Sequence, residues 1–406
     1  MLDPFSQGQK PLWKSGGDPA RSRHRLVLSE FLSITAFVLF CVKYTFDYSE
    51  LVTRPEILNS LLVGAILFLL IFKILIQRYT PIRFILTVTL CGLVGYSSLK
   101  SINYIFLIGF LFVLAMQDID IKRIVRISFC IKVASIATQV AWYFAVYLIN
   151  PSSLNFVYRG GAGSPRHYFY MGHANMFTAF LVWASIEYIF LHYSKINITR
   201  MAVIWAINMF FRIFTDSTSG ILLLLIITVL ISLDKLGNHF FDKTLTFFAR
   251  FLYTICTIVF TFLVMVYAQL TGTLREIWEA IDSFYTGRLW YGAFTNDYLG
   301  PTLLGRNLRI PYKYYWHGRW ADTFGTFDNY YIGNLYHYGI INLVVIGIVL
   351  ILLCGKMENL EKIIIIMFAF YAISEVYVVN IYMCFPLMIV GKYLYPQTET
   401  VKIPGG

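Results

Sequence analysis

Three groups of arginine, histidine, carboxylate and glycine have the residue types that handle an anionic leaving group and move a proton. The first is Arg159-Gly-Gly-Ala-Gly-Ser-Pro-Arg166, followed by Tyr170-Met-Gly-His173-Ala-Asn175. Guanidinium forks and backbone N–H groups bared by glycine suit a phosphate or diphosphate, and an imidazole transfers protons near neutral pH. The second is Arg212 with Thr215-Asp216-Ser217-Thr218-Ser219-Gly220, in which Asp216 stands four residues after the arginine, within reach on one helix face. The third runs from Gly287-Arg288-Leu-Trp290 through Gly305-Arg306 to Asp328-Asn329-Tyr330-Tyr331. Arg288 and Arg306 each adjoin a glycine, which lets backbone and ligand approach closely. Arg309 and Arg319 read instead as ion-pair partners of the acids in the same segment. Glu375, close to the end of an apolar run, is a reserve general base.

No metal centre or cofactor is expected. Asp118-Ile-Asp120 lies beside Lys122 and Arg123 and reads as ordinary loop charge. The six cysteines lie in or at the ends of apolar runs without pairing or ligand spacing.

The elements that must position these residues are membrane helices. The chain is 58% hydrophobic and 14% charged, with a mean hydropathy of +0.65. Apolar runs recur at 27–47, 57–76, 83–99, 102–117, 127–149, 174–192, 200–214, 220–234, 250–271, 332–354, 363–379 and 380–395, so about twelve spans are expected in an all-α, polytopic fold. The net charge of +11 would point to nucleic acid in a soluble chain. Here the Lys and Arg residues occupy alternate short connections, which makes the charge a topology signal and excludes a nucleic-acid partner. Both termini are then cytoplasmic in a cell-membrane protein, and segments 150–173 and 272–331 are external. The division expected is a disordered arm over 1–25, one transmembrane domain over 26–396 and a short tail over 397–406. Glu187 and Lys73 are expected to snorkel at cytoplasmic helix ends.

Within 272–331, Leu274, Ile277, Trp278, Ile281 and Phe284 share one helical face, so the segment opens with an amphipathic helix at the membrane surface. From Gly292 to Gly325, Gly, Pro and aromatic residues break the period, and an irregular lid is expected.

In their order along the chain these motifs resemble the Wzy-type capsule and O-antigen repeat-unit polymerases, related in broad fold to the polysaccharide ligases. The matching pieces are the arginine-bearing loop before Gly172-His173-Ala174-Asn175, the Thr215 to Gly220 hairpin, Gly287-Arg288-Leu-Trp290 with Gly305-Arg306, and Asp328-Asn329-Tyr330-Tyr331 with Tyr338-Gly339. The resemblance spans about 155–345 by motif and the remainder by topology alone. It implies a C-type glycosyltransferase-like architecture and a metal-independent enzyme. A hydroxyl of one lipid-linked oligosaccharide attacks the anomeric carbon of another at the outer face of the membrane, and polyprenyl diphosphate leaves. Arg159, Arg166, Arg288 and Arg306 would hold the diphosphate, Asn175 and Tyr330 the substrate, and His173 or Asp328 would act as base, with Arg212, Asp216 and Glu375 in reserve. A chain-length regulator and a flippase are the partners implied. The competing readings are a flippase or transporter for the same lipid-linked glycan and a ligase of the same architecture.

Overall fold

The computed structural model describes residues 19–53, 55–154, 156–158, 165–237, 239–284, 287–308, 314–316, 319–321 and 327–395. Most of the expected 1–25 arm and the 397–406 tail lie outside these residues. The first helix begins at Pro19, inside the segment expected to be disordered.

Helices α1 (Pro19–Asp47), α2 (Glu56–Leu75), α3 (Pro81–Ser101), α4 (Ile105–Leu114) and α5 (Ile121–Ile149) lead to a two-residue ribbon of β1 (Val157–Tyr158) and β2 (Pro165–Arg166). There follow α6 (Ala174–Leu191), α7 (Ile198–Thr215), α8 (Ser219–Lys235) and α9 (His239–Gln269). Next come α10 (Gly272–Phe284), α11 (Arg288–Leu299), and the hairpin of β3 (Tyr314–Trp316) and β4 (Arg319–Ala321). The chain ends with α12 (Tyr330–His337), α13 (Ile340–Leu353), α14 (Asn359–Ser374) and α15 (Pro386–Leu394).

Among the described residues, seven helices are long and apolar enough to cross a membrane: α1, α2, α3, α5, α6, α7 and α9. The other expected spans fold as shorter helices. α8 has 17 residues, α14 has 16, α13 has 14, α4 has 10 and α15 has 9. At 1.5 Å per residue these reach roughly 14–26 Å, less than the ~30 Å hydrocarbon core.

Burial separates an interior from a periphery. In α6, 72% of the apolar window is buried, against 17% in α7. A helix apolar on all sides belongs inside a bundle, and α6 packs against α5, α7 and α8. Phe177, Phe180, Trp183 and Ile186 fill its contacts. α14 is buried along most of its length between α8 and α9. The first residues of α6 and the last of α14 therefore sit at the end of the packed core, which fixes whatever they carry.

Two expectations are corrected. Glu187 and Lys73 do not snorkel: both are fully buried. Lys132 of α5 lies 2.5 Å from Glu187 Oε1, and Ser128 Oγ donates to the same oxygen at 2.6 Å. Lys73 Nζ donates to the Gln117 carbonyl at 2.9 Å and to Ser29 Oγ. Charges with partners across a helix interface need not reach water.

The second correction concerns segment 272–331. Its amphipathic helix forms as α10, but part of the expected irregular lid is α11 and a β-hairpin. Gly287 takes φ +78°, a left-handed turn that suits glycine, and its N–H donates to the Asp282 carbonyl at 2.9 Å. The Asp282 carboxylate then accepts from the backbone N–H groups of Leu289 at 2.8 Å and Trp290 at 2.9 Å, capping α11. Trp290 stacks on Phe294 with centroids 5.6 Å apart and meets Trp316 of the hairpin at 5.4 Å. Aromatic packing supplies here the order that a helical period does not.

Candidate functional site

A cavity of about 540 Å³ opens where α6 and α8 begin and α14 ends. Arg166, His173, Asn175, Ser219, Arg288, Asp328 and Glu375 contribute its polar wall. Leu222, Leu223, Ile226, Phe370 and Tyr371 form an apolar floor. Two guanidinium groups and two carboxyl groups meet in the wall.

Each polar group is set by its element. Arg166 ends β2, and β1 holds it in register through the Val157↔Arg166 pair. It is buried, and its Nε donates to the Thr215 carbonyl at 2.8 Å while Nη2 donates to Asn175 Oδ1 at 2.8 Å. One side chain thereby joins the ribbon, the end of α7 and the first turn of α6. His173 is the N-cap of α6, and its Nδ1 accepts from the Asn175 N–H at 3.2 Å. An acceptor at Nδ1 puts the proton of a neutral imidazole on Nε2, so the free edge of the ring is a donor. Burial, and then the Arg166 guanidinium, push the His173 pKa below its ordinary value, with Asp328 pulling partly back.

Arg288 begins α11, directly after Gly287 and under the Asp282 cap. Its Nε lies 3.4 Å from Asp328 Oδ2, and the Asp328 side chain is 53% exposed. Asn329, next to Asp328, is buried: it caps α12 by accepting from Ile332 N–H at 3.0 Å and donates to the Ile373 carbonyl at 2.9 Å. Asp328 is thus pinned beside the end of α14. Glu375 follows the last residue of α14, is 2% exposed, and accepts from Ser219 Oγ at 3.4 Å. Ser217 Oγ lies 3.4 Å from Ser219 Oγ.

Of the expected site residues, the structure brings together Arg166, His173, Asn175, Arg288, Asp328 and Glu375, from four separate stretches of chain. Arg159 lies outside the described residues, as do Arg309 and the side chain of Arg319. Four others are elsewhere. Arg212 and Asp216 do not line the cavity: Asp216 takes φ +44° and closes α7 by donating its N–H to the Arg212 carbonyl at 2.9 Å. Tyr330 is buried in the bundle interior, with its Oη accepting from Asn334 Nδ2 at 2.8 Å. Arg306 is also absent from the wall. Gly305, at φ +76°, serves chain packing rather than ligand approach, because a Cβ there would collide with the His337 carbonyl. The backbone of Arg306 donates to that carbonyl at 3.2 Å.

Three contributors were not singled out in the sequence. Ser217 and Ser219 lay in a motif already noted, but their approach to Glu375 joins residues 156 positions apart. Asp282 precedes Arg288 by six residues, a spacing outside the usual capping patterns, and only the left-handed turn at Gly287 makes it a cap. Comparison with protein-family models, with curated proteins and with solved structures gives no match for this chain.

Proposed function

We propose that this protein polymerises polyprenyl-diphosphate-linked oligosaccharide repeat units by glycosyl transfer at the outer face of the cell membrane, with both termini cytoplasmic and about twelve crossings. The observation that supports this reading is the convergence of Arg166 and Arg288 with His173, Asp328 and Glu375 on one cavity at a helix-bundle end. Its volume lies within the roughly 300–1,000 Å³ of small-ligand sites.

In the proposed reaction the acceptor hydroxyl loses its proton to a carboxylate as its oxygen bonds to the donor's anomeric carbon. The bond from that carbon to the diphosphate oxygen breaks, and its electron pair leaves with the diphosphate. Arg166, Arg288 and the Nε2–H of His173 face that developing charge. Charge-assisted hydrogen bonds contribute about 1.5–3 kcal/mol each. Because Nδ1 of His173 is engaged by the helix cap and Asp328 is paired with Arg288, we assign the base role to Glu375, whose carboxyl among the described residues accepts from Ser219 Oγ and feels the Arg288 guanidinium. The helical aromatic loop of α10, α11 and the hairpin stands beside the site and offers rings for sugar stacking.

The test uses purified protein in detergent with synthetic polyprenyl-diphosphate repeat units. The reading expects a ladder of glycans with release of polyprenyl diphosphate, and Glu375→Gln lowering the rate by about 10²–10⁴-fold. A transporter gives no longer glycan in detergent, and a ligase gives a single-size conjugate; either outcome replaces this reading.

A further inference from the structure

A second groove, sharing no lining residue with the polar cavity, runs between α3, α4, α13 and α15. Leu90, Val113, Ile346, Val349, Leu387 and Leu394 are among its walls, and hardly any polar surface lines it. At one end it stops against Tyr330 and Val379 in the bundle interior. At the other it widens into a vestibule of about 370 Å³, bordered by Arg83, Lys356, Lys392, Tyr393 and Tyr395. The two cavities share Arg83, Leu86, Val349, Leu394 and Tyr395, so the groove is continuous. Leu86 and Leu352 on its rim are about half exposed, which leaves it open sideways.

Its narrow part encloses about 80 Å³ beside the vestibule, and its length and ends match one half of a bilayer. From Val345 to Lys356, through the end of α13 and the 3-10 turn Cys354–Lys356, the chain rises about 18 Å, a little over half of the ~30 Å hydrocarbon core. The wide end holds cations and tyrosines, the residue types that sit at the lipid headgroup level. Lys392 is held by Glu361 at 2.9 Å. Arg83 has no carboxylate within ion-pair reach among the described residues, although it borders an apolar groove. Tyr395 Oη and Thr87 Oγ1, 2.9 Å apart, tie the end of α15 to α3 across the mouth. A cation at such a place needs an anion that arrives with an apolar chain attached.

We infer that this groove binds an anionic glycerophospholipid of the inner leaflet, with an acyl chain along α13 and the phosphate against Arg83 and Lys356. The site is separate from the polar cavity, and the inference does not depend on the proposed reaction. Lipid occupancy would fill the space between α3 and α13 that no side chain fills.

The test is delipidated full-length protein in detergent, titrated with dioleoyl-phosphatidylglycerol or dioleoyl-phosphatidylcholine, with bound lipid counted by native mass spectrometry and the unfolding temperature recorded. The expected result is at least about tenfold tighter retention of phosphatidylglycerol than of phosphatidylcholine, equivalent to the ~1.4 kcal/mol of a tenfold affinity ratio. Arg83→Ala should abolish the preference while leaving the lipid-free unfolding temperature unchanged. Leu86→Trp, which narrows the mouth from an exposed position, should reduce retention of both lipids. Dihexanoyl-phosphatidylglycerol, with the same headgroup and short chains, should not stabilise the protein. Equal retention of the two dioleoyl lipids by wild type, an unchanged preference in Arg83→Ala, stabilisation by the short-chain lipid, or a dimer that occludes the groove would each overturn the inference.

Discussion

Arg166 donates from Nη2 to Asn175 Oδ1 at 2.8 Å, and this contact fastens the β-ribbon to the first turn of α6, the most buried of the seven long apolar helices. The same guanidinium reaches the Thr215 carbonyl through Nε. A planar, five-donor group can bridge two elements and still border a cavity, whereas an ammonium offers a point charge.

Arg166→Lys and Arg288→Lys should therefore behave differently although both keep charge. At the long pair of Arg288 with the half-exposed Asp328 the substitution should cost about 1 kcal/mol of stability or less, yet transfer should fall about 10²-fold with the loss of the fork. Arg166→Lys should lose both activity and thermal stability, because a buried carbonyl and amide oxygen lose donors. Unfolding temperature measured beside glycan-ladder formation separates the two, and wild-type transfer in both variants would remove the diphosphate clamp from the mechanism.

Asp282 acts on the site through α11. Removing its carboxylate in Asp282→Ala strips the acceptor from Leu289 and Trp290 N–H and should cost about 1–2 kcal/mol, in the range of helix caps. Arg288 is the first residue of that helix, so activity should fall with it. Asp282→Asn keeps one acceptor oxygen and should lie between. If Asp282→Ala unfolds earlier but transfers at the wild-type rate, the cap does not position Arg288.

What the sequence could reveal differs by residue for physical reasons. Apolar runs exposed the membrane helices, and the face shared by Leu274, Ile277 and Ile281 revealed α10, because both are local patterns. Arg166, His173 and Asn175 were legible for the same reason, lying within ten residues of one another. Arg306 and Tyr330 were misplaced because a glycine or a polar tip says nothing about which neighbour it meets; Gly305 packs on His337, and Tyr330 meets Asn334 inside the bundle. Lys132 with Glu187 is a contact 55 positions apart, set by the docking of α5 on α6 and invisible to any window.

That buried pair yields a sharp stability test. Lys132→Met leaves Glu187 charged or protonated in a closed apolar setting and should destabilise by about 3–5 kcal/mol. Lys132→Met combined with Glu187→Leu removes both charges and should recover most of the loss. Denaturation of the two singles and the double in detergent completes the cycle. A double variant no better than its worse parent would mean that the pair specifies packing beyond its charge.

His173 should give the site an acid limb below pH 6.5. Its folded pKa is pushed down from 6.5 by burial and by Arg166, so at neutral pH the ring is uncharged and Nδ1 accepts from Asn175 N–H. Protonation turns Nδ1 into a donor facing a donor and breaks the α6 cap. The unfolded chain takes up its proton first, so the stabilising contribution is complete above pH 6.5 and is lost as pH falls through the lower folded value. Arg166→Gln removes a repelling charge and should move the limb upward toward 6.5; Asp328→Asn removes an attracting one and should move it further down. Imidazole titration by NMR of 13C-histidine-labelled protein reads both shifts, and midpoints that coincide in all three proteins would show that Arg166 and Asp328 do not set the protonation of His173.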